Sequence, residues 1–370
     1  MIKYEYRIGD KKCKHIFFSS ELSYTDFIYE SGFCDQLDLF YSEKLDEKIR
    51  EKFGDILVYL SKGANWDSKG YSLSIDLTRD AGQILGDFHK NRKYEVKRAK
   101  ERDGISVAID MSPDKEKLEK VRIFYDQFAA SKNLHPFDLD RYMAATQDNI
   151  FLLAGAYSNA GELLVVNGYL LDHEDRRSTF SFGASHFREQ KETAAQVGRA
   201  NSYLHYAVMC YLKEQGYREY DLGGIYIGDD KDLTNISYFK NSLGGELREY
   251  APKISYQKRA YEMVEQNLSK LRDIVCEKGI ILWGAATWGK YVIRRLKELY
   301  DKAPVCVIDT TLSAVCPEMS SPDELIRYDS SDHYLIVTTD KRPYRVICEK
   351  EAVKPFVENH SILCIKEDCL

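Results

Sequence analysis

Three apolar segments in close succession constrain this chain most: FLLAGAYS from Phe151, ELLVVNGYLLD from Glu162 and RSTFSFGAS from Arg177. Turn-forming residues separate them, Asn159-Ala160-Gly161 in the first gap and Asp172 to Arg176 in the second, so the pattern predicts a meander of antiparallel strands. A helix from Thr193 to Gln215 follows, with Val197, Leu204, Val208 and Leu212 on one face and Gly216 closing it. The next strand, Arg218 to Leu222, runs into Gly223-Gly224, where the backbone is free to approach a ligand closely or to take a positive φ. A polar loop, a short helix carrying Phe239-Lys240, a second glycine pair and a further strand complete the stretch.

The order strand, helix, strand, helix after a meander resembles the GNAT core. YDLGG, then FK, then GGELREY resemble the C-terminal signature of the Fem-type peptidyltransferases and their GNAT-fold relatives. The resemblance implies an α+β core with a mixed, mainly antiparallel sheet. It also implies an enzyme that joins an acyl or aminoacyl group to an amine, with acyl-CoA or aminoacyl-tRNA as donor. Lys240, matched to the FK pair, would then stabilise developing negative charge, and Asp221 would order the amine or its proton-accepting water. Two alternatives stay open, Asp221 as a loop cap and Lys240 as a surface lysine beside a core Phe239. Gly223, Gly224, Phe239 and Tyr226 would line the substrate, although Tyr226, like Tyr238, also fits plain packing. The strand Phe180-Ser181-Phe182-Gly183 would splay from its neighbour and offer a free N–H to the acyl carbonyl. GNAT folds aim the N-terminus of the following helix at the donor pyrophosphate, through a pattern (R/Q)xxGx(G/A). This chain has Ala195-Gln196-Val197-Gly198-Arg199-Ala200, so Gly198 fits and Gln196 and Arg199 stand in for the missing first residue.

The bulk numbers set the frame. A chain of 370 residues has room for two or three domains, and 44% hydrophobic residues with only 8 prolines exclude extensive disorder. A net charge of −6 argues against a dedicated DNA or RNA binder. No run approaches the ~20 apolar residues that span a bilayer, and no hydrophobic N-terminal stretch is seen, so a soluble, cytoplasmic protein is expected. The 9 cysteines are scattered without CxxC or Cys/His spacing, which predicts reduced thiols and no bound metal.

Four segments are expected: a shortened GNAT-like half-domain over 1–76, a transferase domain over 77–258, a connecting helix over 259–278 and a parallel α/β unit over 279–370. Thr78 is the expected cap of the first helix of the second segment, and Ser112-Pro113-Asp114 opens another. Between them Lys90, Arg92, Lys93, Lys97, Arg98 and Lys100 share one helix. They read either as a hold for phosphates or a tRNA end, or as a solvated face.

The last segment opens with GIILWGAATWGK, in which Gly284 and Gly289 frame a strand-to-helix turn and Asp309 ends the next strand, where a ribose-binding acid would sit. Ala286 replaces the middle glycine and Trp288 crowds the turn, so nicotinamide cofactors are not expected. The unit resembles the small Rossmann-type domains of bacterial sugar-modifying enzymes. That likeness implies an amino-sugar acceptor, free or linked to a lipid or nucleotide, in cell-envelope glycan synthesis. Two rival readings are an aminoacyl-tRNA-dependent peptidoglycan-bridge enzyme and a nucleotide-binding oxidoreductase or sensor.

Overall fold

The structure, a computed structural model, describes residues 1–17, 20–61, 64–132, 134–185, 191–226, 231–314, 316, 318–339 and 341–366. The chain forms two compact units. The first takes residues 1–22, 38–45 and 61–253; the second takes 23–37, 46–60 and the chain from Ile254 on.

The expected meander is the middle of a seven-stranded sheet in the first unit. Its order is Glu246–Tyr250, Gly70–Asp76, Glu219–Gly224, Arg177–Ser185, Leu163–Asp172, Phe151–Tyr157, Ser106–Asp110. Every neighbouring pair is antiparallel except Arg177–Ser185 with Glu219–Gly224, the parallel pair that a helical crossover requires. This is the mixed, mainly antiparallel sheet of a GNAT-like core.

The central strands are apolar along their length because both faces are covered. Leu152, Ala154, Tyr169 and Leu171 pack in a core with Val197, Leu204, Val208 and Leu212 of helix Lys191–Glu214 and with Val96 and Ala99 of helix Lys90–Glu101. Phe151, Leu153, Val166 and Leu170 pack in a second core with Leu118 and Val121 of helix Lys115–Lys132 and Tyr142 of helix Leu139–Gln147. The strand alternation sends successive residues to opposite cores.

The N-terminal hairpin, Ile2–Ile8 with Lys11–Phe17, is held by buried polar bonds. Arg141 Nε donates to Tyr4 Oη at 2.7 Å, and His15 lies 2.9 Å from Tyr4 Oη and 2.8 Å from Asp38 Oδ2. Burial holds the His15 imidazole below its ordinary value despite Asp38. Helix Ala81–Asp87 is capped by Asp80 in a box with Gln83, where Thr78 was expected, because the Thr78 N–H and hydroxyl both turn to Asp76 Oδ1, at 2.8 and 2.7 Å.

In the second unit a parallel sheet runs Cys306–Ile308, Gly279–Trp283, His333–Val337, Ile362–Cys364. Ile281, Trp283, Ile308, Leu335, Val337 and Phe356 form its core. This is the small parallel α/β sheet expected of the C-terminal segment. Two helices, Lys258–Lys270 and Arg272–Glu277, meet at Leu271 and precede it. Val264, Leu268, Leu271 and Val275 are fully buried, so the segment carries a continuous apolar stripe.

Candidate functional site

The parallel pair at the sheet centre is short. Arg177, Ser178 and Thr179 face Glu219, Tyr220 and Asp221, and pairing stops there. Beyond that point the first strand stays on Leu163–Asp172 and the second stays on Gly70–Asp76, with its register slipping between Asp221 and Gly224. Gly223 makes the slip possible: its φ is +71°, and an added Cβ would stand 3.0 Å from the Phe180 carbonyl oxygen. Gly223→Ala is therefore expected to lower stability by about 2 kcal/mol from left-handed backbone and this contact together, read as a reduced unfolding midpoint.

Asp221, fully buried, sits where the strands part. Its carboxylate accepts from the Ser72 hydroxyl at 2.8 Å, the Gly223 N–H at 2.5 Å and the Tyr250 hydroxyl at 3.5 Å. Burial pushes the carboxyl up to about 6, against the pull of those Ser72 and Gly223 bonds and of Lys240. Lys240, near the end of helix Lys231–Asn241, is only 9% exposed. Its ammonium donates to the Gly224 carbonyl at 2.8 Å and lies 5.8 Å from the centre of the Phe180 ring. Burial lowers it to about 8, Asp221 works against that shift, and Lys253 adds to it. A carboxyl near 6 and an ammonium near 8 thus both bond the Gly223-Gly224 backbone.

Four further residues surround the loop. Tyr41, at φ +54°, accepts the Gly224 N–H at 3.1 Å and the Lys253 ammonium at 3.1 Å. Glu219, two residues before Asp221, binds Arg177 at 3.2 Å and Arg248 at 3.1 Å and takes the Ser74 hydroxyl at 2.7 Å. Ser72 and Tyr250 reach Asp221 from the two strands beyond. The phenol of Tyr250 was in view within GGELREY, but its partner was not.

The remaining candidates fall in several places. Tyr226 is partly exposed, and its N–H bonds Ser237 Oγ at 2.9 Å. Phe239 faces the core, with its ring 5.6 Å from His205 and 4.8 Å from the Arg92 guanidinium. His205 is fully buried on Tyr220 Oη at 2.6 Å, and burial followed by Lys240 pushes its imidazole down to about 3, so it stays neutral. Gly183 lies on the splayed strand, where an added Cβ would stand 2.8 Å from Asn167 Oδ1 and from Phe180 Cζ, so packing alone demands a glycine.

Gln196, Gly198 and Arg199 are inside helix Lys191–Glu214, past its first turn. Residues 186–190, which lead into that helix, are outside the described residues. An added Cβ at Gly198 would meet nothing within 4 Å, so no packing explains this glycine. Arg199 closes on Asp103, which also takes Arg98 at 3.5 Å. In the basic helix Arg92 bonds Glu95, Ser202 and Ser242, whereas Lys90, Lys97 and Lys100 are exposed.

In the C-terminal unit Gly284 has φ +107°, and Gly289 packs so closely that a Cβ would stand 1.9 Å from the Gly284 oxygen. Asp309 accepts the Ala285, Thr311 and Leu312 N–H groups, each at 2.9 Å. Burial opposes its charge, yet those bonds hold the carboxyl below the ordinary carboxylate range. Its carboxylate is thus occupied by the loop that a nucleotide would contact.

A cavity of about 580 Å³ lies elsewhere, between helix Lys115–Lys132 and the strands Ser106–Asp110 and Phe151–Tyr157, and none of the candidate site residues lines it. Among the described residues no group of three or more His, Cys, Asp or Glu side chains is arranged to hold a metal, and no helix is long and apolar enough to cross a membrane.

No protein-family model matches the chain. A curated relative, the lipid II:glycine glycyltransferase of Staphylococcus saprophyticus, is 28% identical over 138 residues, which are 36% of this chain. The chain resembles the Fem-type transferases. It spans about a third of that relative's length, 32%. Among solved structures, FemX aligns with 71% of this chain and 86% of its own at a TM-score of 0.48 and 13% identity. A tandem GNAT protein from the clavulanic acid biosynthesis pathway aligns with 60% of this chain and 63% of its own at a TM-score of 0.36 and 13% identity.

Proposed function

We propose that the first unit is an N-acyl- or aminoacyltransferase whose reacting groups meet at the Gly223-Gly224 loop. One observation carries this reading: a buried carboxylate and a buried ammonium each bond the Gly223-Gly224 backbone where the two central strands separate. The acceptor amine attacks the carbonyl carbon of an activated acyl group. The C–N bond forms, the carbon–sulfur or carbon–oxygen ester bond breaks, and the amine proton passes to Asp221 directly or through a water. Lys240 supplies positive charge to the oxyanion of the tetrahedral intermediate in a site that burial makes poorly screened.

The donor is an acyl-CoA or an aminoacyl-tRNA, and the acceptor an amino sugar or related amine of cell-envelope glycan synthesis, lipid- or nucleotide-linked. These donors are cytoplasmic, which places the reaction there. The glycyltransferase relative acts, by its name, on lipid II with glycine, and supports an envelope acceptor. An aminoacyl-tRNA donor predicts binding that weakens steeply with salt and falls on replacing Lys90, Lys97 and Lys100, whereas an acyl-CoA donor predicts neither.

The pH profile tests the assignment. Activity is expected to rise as Asp221 loses its proton near 6 and to fall as Lys240 loses its charge near 8. Initial rates with acetyl-CoA and glucosamine between pH 5 and 9.5, or with a charged-tRNA mimic as donor, read it. A profile flat across that range excludes both groups from the chemistry.

A further inference from the structure

Cations around this end of the sheet have acids: Arg177 and Arg248 pair with Glu219, and Lys69 pairs with Glu249 at 2.6 Å. Lys240 and Lys253 differ. Among the described residues neither has a carboxylate within ion-pair distance, and their ammonium groups bond neutral oxygens, the Gly224 carbonyl at 2.8 Å and the Tyr41 hydroxyl at 3.1 Å. In a chain of net charge −6 that leaves two ammonium groups beside the Gly223-Gly224 loop, with Asp221 as the buried acid nearby.

The two converge on one place. A Cβ built on Gly223 would lie 3.5 Å from Tyr41 Oη and 3.8 Å from Lys240 Nζ. One built on Gly224 would lie 3.4 Å from Lys253 Nζ and 3.9 Å from the same Tyr41 oxygen. The glycine pair therefore leaves room between the lysines.

Tyr41 is a fixed mount for Lys253: its ring centre is 4.2 Å from the ammonium, and its edge packs on Tyr250 at 5.5 Å. The next residue is tied down as well, the Ala251 N–H donating to the Ser42 carbonyl at 2.8 Å. An ammonium has three donors, and Tyr41 takes one from Lys253.

We propose that Lys253, held by Tyr41 beside the Gly223-Gly224 loop, forms an oxyanion subsite, so that the amine acceptor carries a phosphate or carboxylate group. The proposal rests on the transferase reading for the word acceptor, but the subsite itself does not. Lys253 is a specificity residue: it binds the charged group of the acceptor, while Lys240 serves the reacting carbonyl.

Two measurements on the full chain separate subsite from reaction. Calorimetric titration with inorganic pyrophosphate is expected to show binding that Lys253→Gln weakens at least tenfold. Lys120→Gln, on a helix-surface lysine paired with Glu116, leaves it unchanged. Glutamate in place of pyrophosphate tells a carboxylate site from a phosphate site by which ligand loses more affinity. In turnover, Lys253→Gln is expected to raise KM for glucosamine 6-phosphate at least tenfold more than KM for glucosamine, and Lys253→Arg to recover part of it.

Absent binding of both pyrophosphate and glutamate, equal binding of each by wild type and Lys253→Gln, or equal KM changes for charged and neutral acceptors overturn the subsite. Anion binding lost in Lys253→Gln without turnover of any acyl donor leaves the subsite standing and sinks the transferase reading. Turnover that requires Lys240 but ignores Lys253 does the reverse.

Discussion

Lys240→Met is expected to lower kcat by about 10²- to 10³-fold, the loss typical of removing one preorganised stabiliser of an oxyanion. Folding should survive. At pH 7 the buried ammonium is held charged at a cost, because its affinity for the proton is lowered from 10.5 to about 8. Its contribution to stability is present above the ordinary lysine value and is lost as pH falls through about 8. Methionine removes that cost, about 3 kcal/mol at most, and leaves the Gly224 carbonyl without its donor, which costs about 1–3 kcal/mol. The terms nearly cancel, so the unfolding midpoint at pH 7 should move by only a few degrees. A kcat within threefold of wild type, with the fold intact by circular dichroism, excludes Lys240 from the reaction.

The second large effect is a trade between activity and stability at Asp221. Between the ordinary carboxyl value of 3.8 and about 6, the folded chain holds a proton that the unfolded chain has released. Stability therefore falls as pH rises through that window, by about 3 kcal/mol in total at ~1.4 kcal/mol per pH unit. Asp221→Asn removes the ionisation. Its amide oxygen keeps the Gly223 N–H, and its NH₂ group turns to the Ser72 hydroxyl, which accepts as readily as it donates.

The variant is expected to unfold about 3–6 °C higher than wild type at pH 7.5, with the gain roughly halved at pH 5 and gone below the ordinary carboxyl value of 3.8. Its kcat should fall at least ~10²-fold, the usual contribution of a positioned base. Thermal unfolding at both pH values, beside initial rates, reads both arms. A variant less stable than wild type at pH 7.5 means that Asp221 is there to hold the loop, the capping role that its bond to Gly223 equally allows.

Much of the fold was open to reading because its signals are local. The central strands are apolar at successive positions since both faces are covered, and Val197, Leu204, Val208 and Leu212 repeat at helical spacing along one crossover. Those patterns, with YDLGG and the FK pair, point to the sheet, the crossover and two residues of the site. Helix starts were less legible. Thr78 and Asp80 are both good caps by type, and only the position of Asp76 decides between them.

What the sequence determined by itself was therefore the order of elements and the Gly223-Gly224 loop that Asp221 and Lys240 both bond. The tertiary structure alone decided their chemistry, because the shifts of both groups come from burial, which no residue type announces. It also brought in Tyr41 and Ser72, respectively 183 and 149 residues from their partners Gly224 and Asp221. It turned Arg199 to Asp103 and Asp309 to the Ala285 N–H, 24 residues away. Periodicity reports which face of an element is apolar and carries no register between distant segments. Partners that meet across such distances are set by how the elements pack.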